Sequence, residues 1–212
     1  MIILDRGNQV IIGLSNIKIV LLFNEHYVRE QLTMAEHRIR LATIIHTGGG
    51  EYDGLLKEFV DELKEAGWNV QGLLTKHSNK PMVIYNISDG QEFIISQELG
   101  KESLSCSLDL GGLARAAFVL RKALENKADL VVVNRFGTAE AEGKGFIAEL
   151  LALISEDIAV VTLTHVNYLA AWREFTGGLA VELAPTKEAL HNWFNTVKIK
   201  ADKADKVDYC LH

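Results

Sequence analysis

The chain has only two cysteines in 212 residues, Cys106 and Cys210. They stand far apart and match neither a disulfide framework nor a metal knuckle, so a reducing cytoplasm is the expected compartment. Long apolar runs are also missing. Ile19-Val20-Leu21-Leu22-Phe23 is far shorter than the roughly 18 residues a membrane span needs, so no membrane insertion is expected. Asp5 stands where a secretory leader carries positive charge, and no small-residue cleavage site follows. Positive charge is scarce overall: 22 Lys and Arg face 28 Asp and Glu, for a net charge of -6. With no local basic patch, nucleic acid and anionic membrane are excluded as expected partners. There are no internal repeats and no low-complexity block.

What is present is ordinary globular composition, 48% hydrophobic and 24% charged. The length suits one domain, with or without an extension. Residues 1–37 read as an N-terminal extension, with strands around Val10-Ile11-Ile12 and Ile17 to Phe23 and a charged helix from Asn24 to Arg40. The other reading makes them an added element, such as an oligomer contact. Residues 38–197 form the main domain. Residues 198–212 alternate Lys and Asp and read as a frayed, charged tail.

From Arg40 the pattern is regular. Leu41 to Ile45 reads as a strand, broken by Gly48-Gly49-Gly50. Asp53 can cap the next helix, whose Leu55, Leu56, Phe59, Val60 and Leu63 recur at helical spacing. Gly67 ends it, and Trp68 to Leu74 is the next strand. This is a βαβ unit, for which a right-handed crossover between parallel strands is expected. Met82 to Asn86 and Glu92 to Ser96 flank Ser88-Asp89-Gly90, a hairpin signal in which Asp-Gly supplies positive φ angles. An irregular segment over 97–109 leads to a helix with Leu113, Ala117, Leu120 and Leu124 on one face. Leu130 to Val133 reads as a strand covered on both faces. Gly145 to Ser155 is a helix, Ala159 to Thr164 a strand, Tyr168 to Phe175 a short helix and Leu179 to Leu183 a strand. Thr186 to Val197 is the final helix. The alternation predicts a three-layer α/β fold with a mostly parallel sheet and an inserted β-hairpin.

Two loops carry the chemistry. A strand, a glycine loop and a helix cradle phosphate on backbone N–H groups. Gly49 and Gly54 have the separation of a phosphate-binding loop, but Leu55 and Leu56 stand where its Lys and Ser or Thr belong. The cation for the phosphates and the hydroxyl for Mg²⁺ are therefore missing, and Glu51 and Asp53 add negative charge. Gly48, Gly49 and Gly50 remain able to admit an anion to the backbone; the alternative is a plain tight turn.

The second loop follows Leu130 to Val133. A nucleoside triphosphatase places an acid at such a strand end to hold Mg²⁺ and orient water. Here stand Asn134 and Arg135, the latter a fixed cation whose fork suits an oxyanion. Glu140, Glu142 and Lys144 follow on Gly137 to Gly145. They either line a ligand together with Arg135 or satisfy one another and Arg135 as a closed network. His46 and His165 end two strands on the same sheet edge, as capped loop residues or as ligand contacts. Two histidines without a third ligand make no metal site. Cys106 has no adjacent base and reads as a packed thiol. Trp172 and Phe175 read as helix packing.

The runs Ile95-Ser96-Gln97-Glu98-Leu99-Gly100, Ser105 to Asp109, Ala128 to Phe146 and Trp172 to Leu179 resemble a bacterial domain-of-unknown-function family. Its genes are often found near molybdenum-transport genes. The resemblance covers roughly residues 38–195 and implies a P-loop-like fold, a degenerate relative of small nucleoside triphosphatases with the same inserted hairpin. In those relatives an Asp-Glu pair stands where Asn134 and Arg135 stand here. The label of molybdate-transporter ATP-binding protein, sometimes attached to members, fits gene neighbourhood better than this chain, which lacks a transporter ATPase's signature motifs.

The expected function is a non-hydrolysing, P-loop-derived module. It binds a small anion, a nucleotide or an oxyanion such as molybdate, through Gly48, Gly49, Gly50, Asn134, Arg135, Glu140, Glu142, Lys144 and His165. No catalytic residue, metal ligand or cofactor is assigned, and a homo-oligomer stays open. The alternatives are a divergent nucleoside triphosphatase or phosphotransferase using Glu140, Glu142 or His165, and a structural partner of a molybdenum enzyme or transporter.

Overall fold

Leu130-Val131-Val132-Val133 is apolar at every position because both sides of its strand are covered. The computed structural model describes residues 2–5, 9–14, 17–22, 40–48, 52–76, 81–97 and 107–208, with side chains of the last helix described to 198. The chain divides into two units, Met1–Arg38 and Ile39–His212.

In the first unit, β1 (Ile2–Asp5), β2 (Gln9–Leu14) and β3 (Ile17–Leu22) form an antiparallel meander. Leu4 lies opposite Val10, and Ile12 opposite Ile19. The expected helix over 24–40 lies outside the described residues, Arg40 excepted.

The second unit runs through β4 (Leu41–His46), α1 (Tyr52–Glu65), β5 (Val70–Lys76), β6 (Val83–Asn86) and β7 (Glu92–Ile94). Next come the short pair β8 (Ser96–Gln97) and β9 (Ser107–Leu108), then α2 (Leu110–Glu125), β10 (Leu130–Phe136), α3 (Thr138–Ala141) and α4 (Ile147–Ser155). It closes with β11 (Val160–His165), a single 3₁₀ turn (Val166–Tyr168), α5 (Leu169–Phe175), β12 (Val181–Leu183) and α6 (Lys187–Asp208). The main sheet has seven strands in the order β12-β4-β11-β10-β5-β6-β7. The first five are mutually parallel, and β6 and β7 add the antiparallel hairpin at one edge.

Helices cover both faces, giving three layers. Leu56, Phe59, Val60 and Leu63 of α1 join Leu190, Trp193, Phe194 and Val197 of α6 on one side. Leu113, Ala116, Leu120 and Ala123 of α2, Leu150 and Leu153 of α4 and Trp172 of α5 cover the other. The strand alternation follows: Leu130 and Val132 face α1, and Val131 and Val133 face α2. Each large side chain buried this way contributes about 1.5–3 kcal/mol. Gly72 lies opposite Val132 in the β5–β10 ladder, at φ +121°, and a Cβ there would run into the Val132 carbonyl oxygen.

Several local expectations change. Asp53 does not cap α1: the helix starts at Tyr52, which puts Asp53 inside the first turn. The hairpin turn spans Ile87 to Gly90, closed by a bond from Asn86 N to Gln91 O, and only Gly90 has a positive φ. Asp89 serves instead through its side chain, accepting from Gln91 N at 2.9 Å. The strand expected to stop at Val133 continues to Phe136, its ladder slipping between Val133 and Phe136. The short helix α3 had no periodic signal. The last helix continues to Asp208, beyond the tail boundary expected at 198, because alternating Lys and Asp do not break a helix as Gly or Pro would.

Candidate functional site at the carboxyl edge of the sheet

Parallel strands deliver their last side chains to one edge, and the helix that follows β4 starts above it. β4 ends in His46 and β11 in His165, which are register partners. On these strands Ile44 and Leu163 face α1, so the period of two sends His46 and His165 to the same side. The two imidazoles meet edge to face at 5.2 Å, and the Tyr52 ring lies 4.9 Å from His46.

Asn134 reaches the same place from β10. Its Nδ2 donates to Asp53 Oδ1 at 2.5 Å and to Thr75 Oγ1 at 2.9 Å. Consecutive strand residues ordinarily point to opposite faces. The ladder slips between Val133 and Phe136, the Asn134-Arg135 peptide bond is cis, and Arg135 reaches Asp53 as well, through Nη2 at 3.1 Å from Oδ2 and 3.4 Å from Oδ1. The Arg135 side chain is 42% exposed and that of Asp53 10%. A surface-side pair of this kind is screened and adds modest stability. The buried amide–carboxylate bond matters more for holding the first turn of α1 on β10.

Hydrogen bonds fix the histidine tautomers. Gly48 N–H donates to His46 Nδ1 at 3.3 Å, and Asn167 N–H donates to His165 Nδ1 at 3.1 Å. Each ring then carries its proton on Nε2 when neutral. Burial pushes the His46 pKa below its ordinary value, the Arg135 and His165 charges push it further, and Asp53 opposes them. Gly48 adopts φ +89°, and a Cβ there would lie 3.6 Å from His165 Nε2, so the backbone passes close to that ring.

The structure therefore brings Gly48, Asn134, Arg135, His46 and His165 to one edge. Gly49 and Gly50 lie outside the described residues. The acidic part of the second loop goes elsewhere. Glu140 turns inward, its Oε2 accepting from Gly137 N at 3.0 Å and its Oε1 from Phe146 N at 3.2 Å. Both oxygens brace the loop, and neither meets Arg135. Glu142 pairs with Lys144 at 2.9 Å on the exposed surface. The sequence suggested a cap and a negative charge beside the glycine loop for Asp53, and nothing for Thr75. The available signal was a carboxylate one turn into the helix after a glycine loop; its partner is 81 residues away. Among the described residues no group of three or more His, Cys, Asp and Glu could hold a metal ion. Among them, too, no helix is long and apolar enough to cross a membrane.

Comparison with known proteins bears on family and fold. Residues 41–193 match the family described as "Protein of unknown function (DUF2478)", and the chain belongs to that family. It is 30% identical over 161 residues to Molybdenum import ATP-binding protein ModC 2 of Bradyrhizobium diazoefficiens. That match takes in 73% of this chain but only 18% of the relative's length. The fold resembles the solution structure of a human cancer-related nucleoside triphosphatase, with a TM-score of 0.55 and 17% identity. The likeness covers 79% of this chain and 98% of that one. What the two share is the fold, a mostly parallel sheet with helices on both faces.

Proposed function

We propose that this chain is a P-loop-derived module that binds a small anion at the carboxyl edge of its sheet without hydrolysing it. The observation that carries the reading is the engagement of Asp53 by Asn134 and Arg135. A hydrolase keeps a carboxylate at a strand end for Mg²⁺ and water. Here that strand end holds an amide and a guanidinium, and the carboxylate opposite is already bonded to both. Arg135 has five N–H donors, and among the described residues it hydrogen-bonds Asp53 through Nη2; a guanidinium's further donors suit an oxyanion. Glycine at position 48, at φ +89°, carries the backbone close past His165 at this edge.

The ligand is a nucleotide or an oxyanion such as molybdate, met in the cytoplasm. The molybdenum side of this reading rests on the relative named for molybdenum import. Because the shared segment is a small part of that protein, its ATP binding belongs to it as a whole. The proposed role here is an accessory, regulatory one in molybdenum transport or metabolism. An enzymatic role through Glu140 or Glu142 is disfavoured, since one braces backbone amides and the other pairs with Lys144.

Calorimetric titration of the full chain with ATP, GTP and molybdate, with and without Mg²⁺, tests the reading. Heat from at least one ligand is expected, with phosphate release no faster than in buffer. Silence with all of them would overturn the binding role. Phosphate release well above buffer, lost in Arg135→Ala, would replace it with an enzyme.

A further inference from the structure

Two buried polar atoms at this edge have no hydrogen-bond partner among the described residues: His46 Nε2 and Asn134 Oδ1. Their residues are 6% and 3% exposed. They are opposite in kind, and each identity is fixed by the other end of its side chain. His46 Nδ1 accepts from Gly48 N–H, so Nε2 holds the proton and is a donor. Asp53 can only accept, so the Asn134 nitrogen must face it and Oδ1 is left as an acceptor. Their side chains meet consecutive residues of the first turn of α1, His46 packing on Tyr52 and Asn134 binding Asp53. Buried groups of this kind are normally satisfied. The other unpartnered buried atoms, Arg40 Nε, Trp172 Nε1 and Trp193 Nε1, are all donors and sit in three separate places.

We infer that this edge takes a tetrahedral oxyanion that still carries one proton, of the hydrogenphosphate type. One ligand oxygen accepts from His46 Nε2, and the ligand's hydroxyl donates to Asn134 Oδ1. The inference rests on the anion-binding reading above and narrows its ligand. Arg135 supplies the fixed positive charge, reduced by Asp53. A fully deprotonated oxyanion, such as sulfate or molybdate near neutral pH, presents only lone pairs. Against Asn134 Oδ1 it sets acceptor against acceptor, leaving that atom unsatisfied. The same chemistry fits free phosphate and the terminal phosphate of a nucleotide.

The test is calorimetric titration of the full chain with inorganic phosphate, sulfate and molybdate at mildly alkaline pH. There phosphate keeps one proton and the other two keep none. Phosphate is expected to bind about tenfold or more tightly than either, the scale of one buried hydrogen bond gained against one lost. In Asn134→Leu the preference should collapse to within about twofold. Should that variant fail to fold, the wild-type ranking decides alone. Sulfate or molybdate binding as tightly as phosphate overturns the inference and leaves the anion site standing. No binding of any of the three, nor of ATP or GTP, overturns the anion site itself. ATP that displaces phosphate at mildly acidic pH, where its terminal phosphate regains a proton, identifies a nucleotide as the source. ATP that does not compete identifies free phosphate.

Discussion

Asn134 Nδ2 donates to Asp53 Oδ1 at 2.5 Å, joining the first turn of α1 to the end of β10 across 81 residues of chain. The Arg135 contacts lie beside it, on the same carboxylate. The pair therefore bears on stability and, in the proposed reading, on anion binding.

Asp53→Ala should destabilise the chain by about 1–3 kcal/mol, because Asn134 Nδ2 loses a buried acceptor. Asp53→Asn keeps an acceptor for Asn134 and loses the Arg135 ion pair, so its cost should be smaller. Urea unfolding midpoints of the two variants measure the difference. Equal costs would mean the ion pair, not the amide bond, holds the turn.

Arg135→Ala should weaken binding of whichever anion the wild type holds by about 1.5–3 kcal/mol, as expected for a charge-assisted bond. Its effect on stability should be much smaller, since the side chain is half exposed. Titration and unfolding of the same sample separate the two. Unchanged affinity would remove Arg135 from the site.

His46 is buried and its pKa is held below the ordinary histidine value. The unfolded chain therefore takes up its proton first as pH falls. Stability from this group is fully present above about pH 6.5, the unfolded value, and declines from there down to the depressed folded value. The slope approaches about 1.4 kcal/mol per pH unit at most. Urea unfolding at several pH values below neutrality should show this decline in the wild type and less of it in His46→Gln. Identical slopes would place the histidine's titration outside the folding equilibrium.

Glu140→Ala should lower the melting temperature, because Gly137 N and Phe146 N lose their acceptor, at a cost of about 1–3 kcal/mol. Glu142→Ala, which removes only an exposed pair with Lys144, should be close to neutral. Both variants should bind the anion as the wild type does. A loss of affinity in Glu142→Ala with stability intact would return the acidic loop to the site.

Gly72→Ala should be among the most damaging single changes in the chain. The position combines φ +121° with a Cβ that would run into the Val132 carbonyl oxygen. Conformational strain of about 1–3 kcal/mol and a clash of similar size both apply. Little folded protein is expected, by circular dichroism and urea unfolding. A near-normal midpoint would show that β5 can move away from β10 without cost.

The layers were legible because they depend on periodicity. Leu56, Phe59, Val60 and Leu63 fall on one helical stripe, and Leu130 to Val133 is apolar throughout, whatever the rest of the chain does. The missing Lys and Ser or Thr at Leu55 and Leu56 were legible for the same reason: a local motif is read locally. Hairpin placement was also visible, although the turn residues act differently, with Gly90 alone taking the positive φ.

The sequence by itself determined the α/β layering, a glycine loop followed by Leu55 and Leu56, and an amide and a guanidinium at the end of β10. Those features are written in neighbouring residues and in periods of two and 3.6. Only the tertiary structure decided what Asp53, Glu140 and His46 do. A carboxylate in a first turn looks like a cap until Asn134 arrives from a distant strand. Glu140 looks like a ligand group until its loop folds back and offers two backbone N–H groups. His46 becomes a neutral, buried donor only because α1, β10 and β11 close around it. Hydrogen-bond partners distant in sequence leave no local pattern, and at this sheet edge such partners set the charge and polarity of the site.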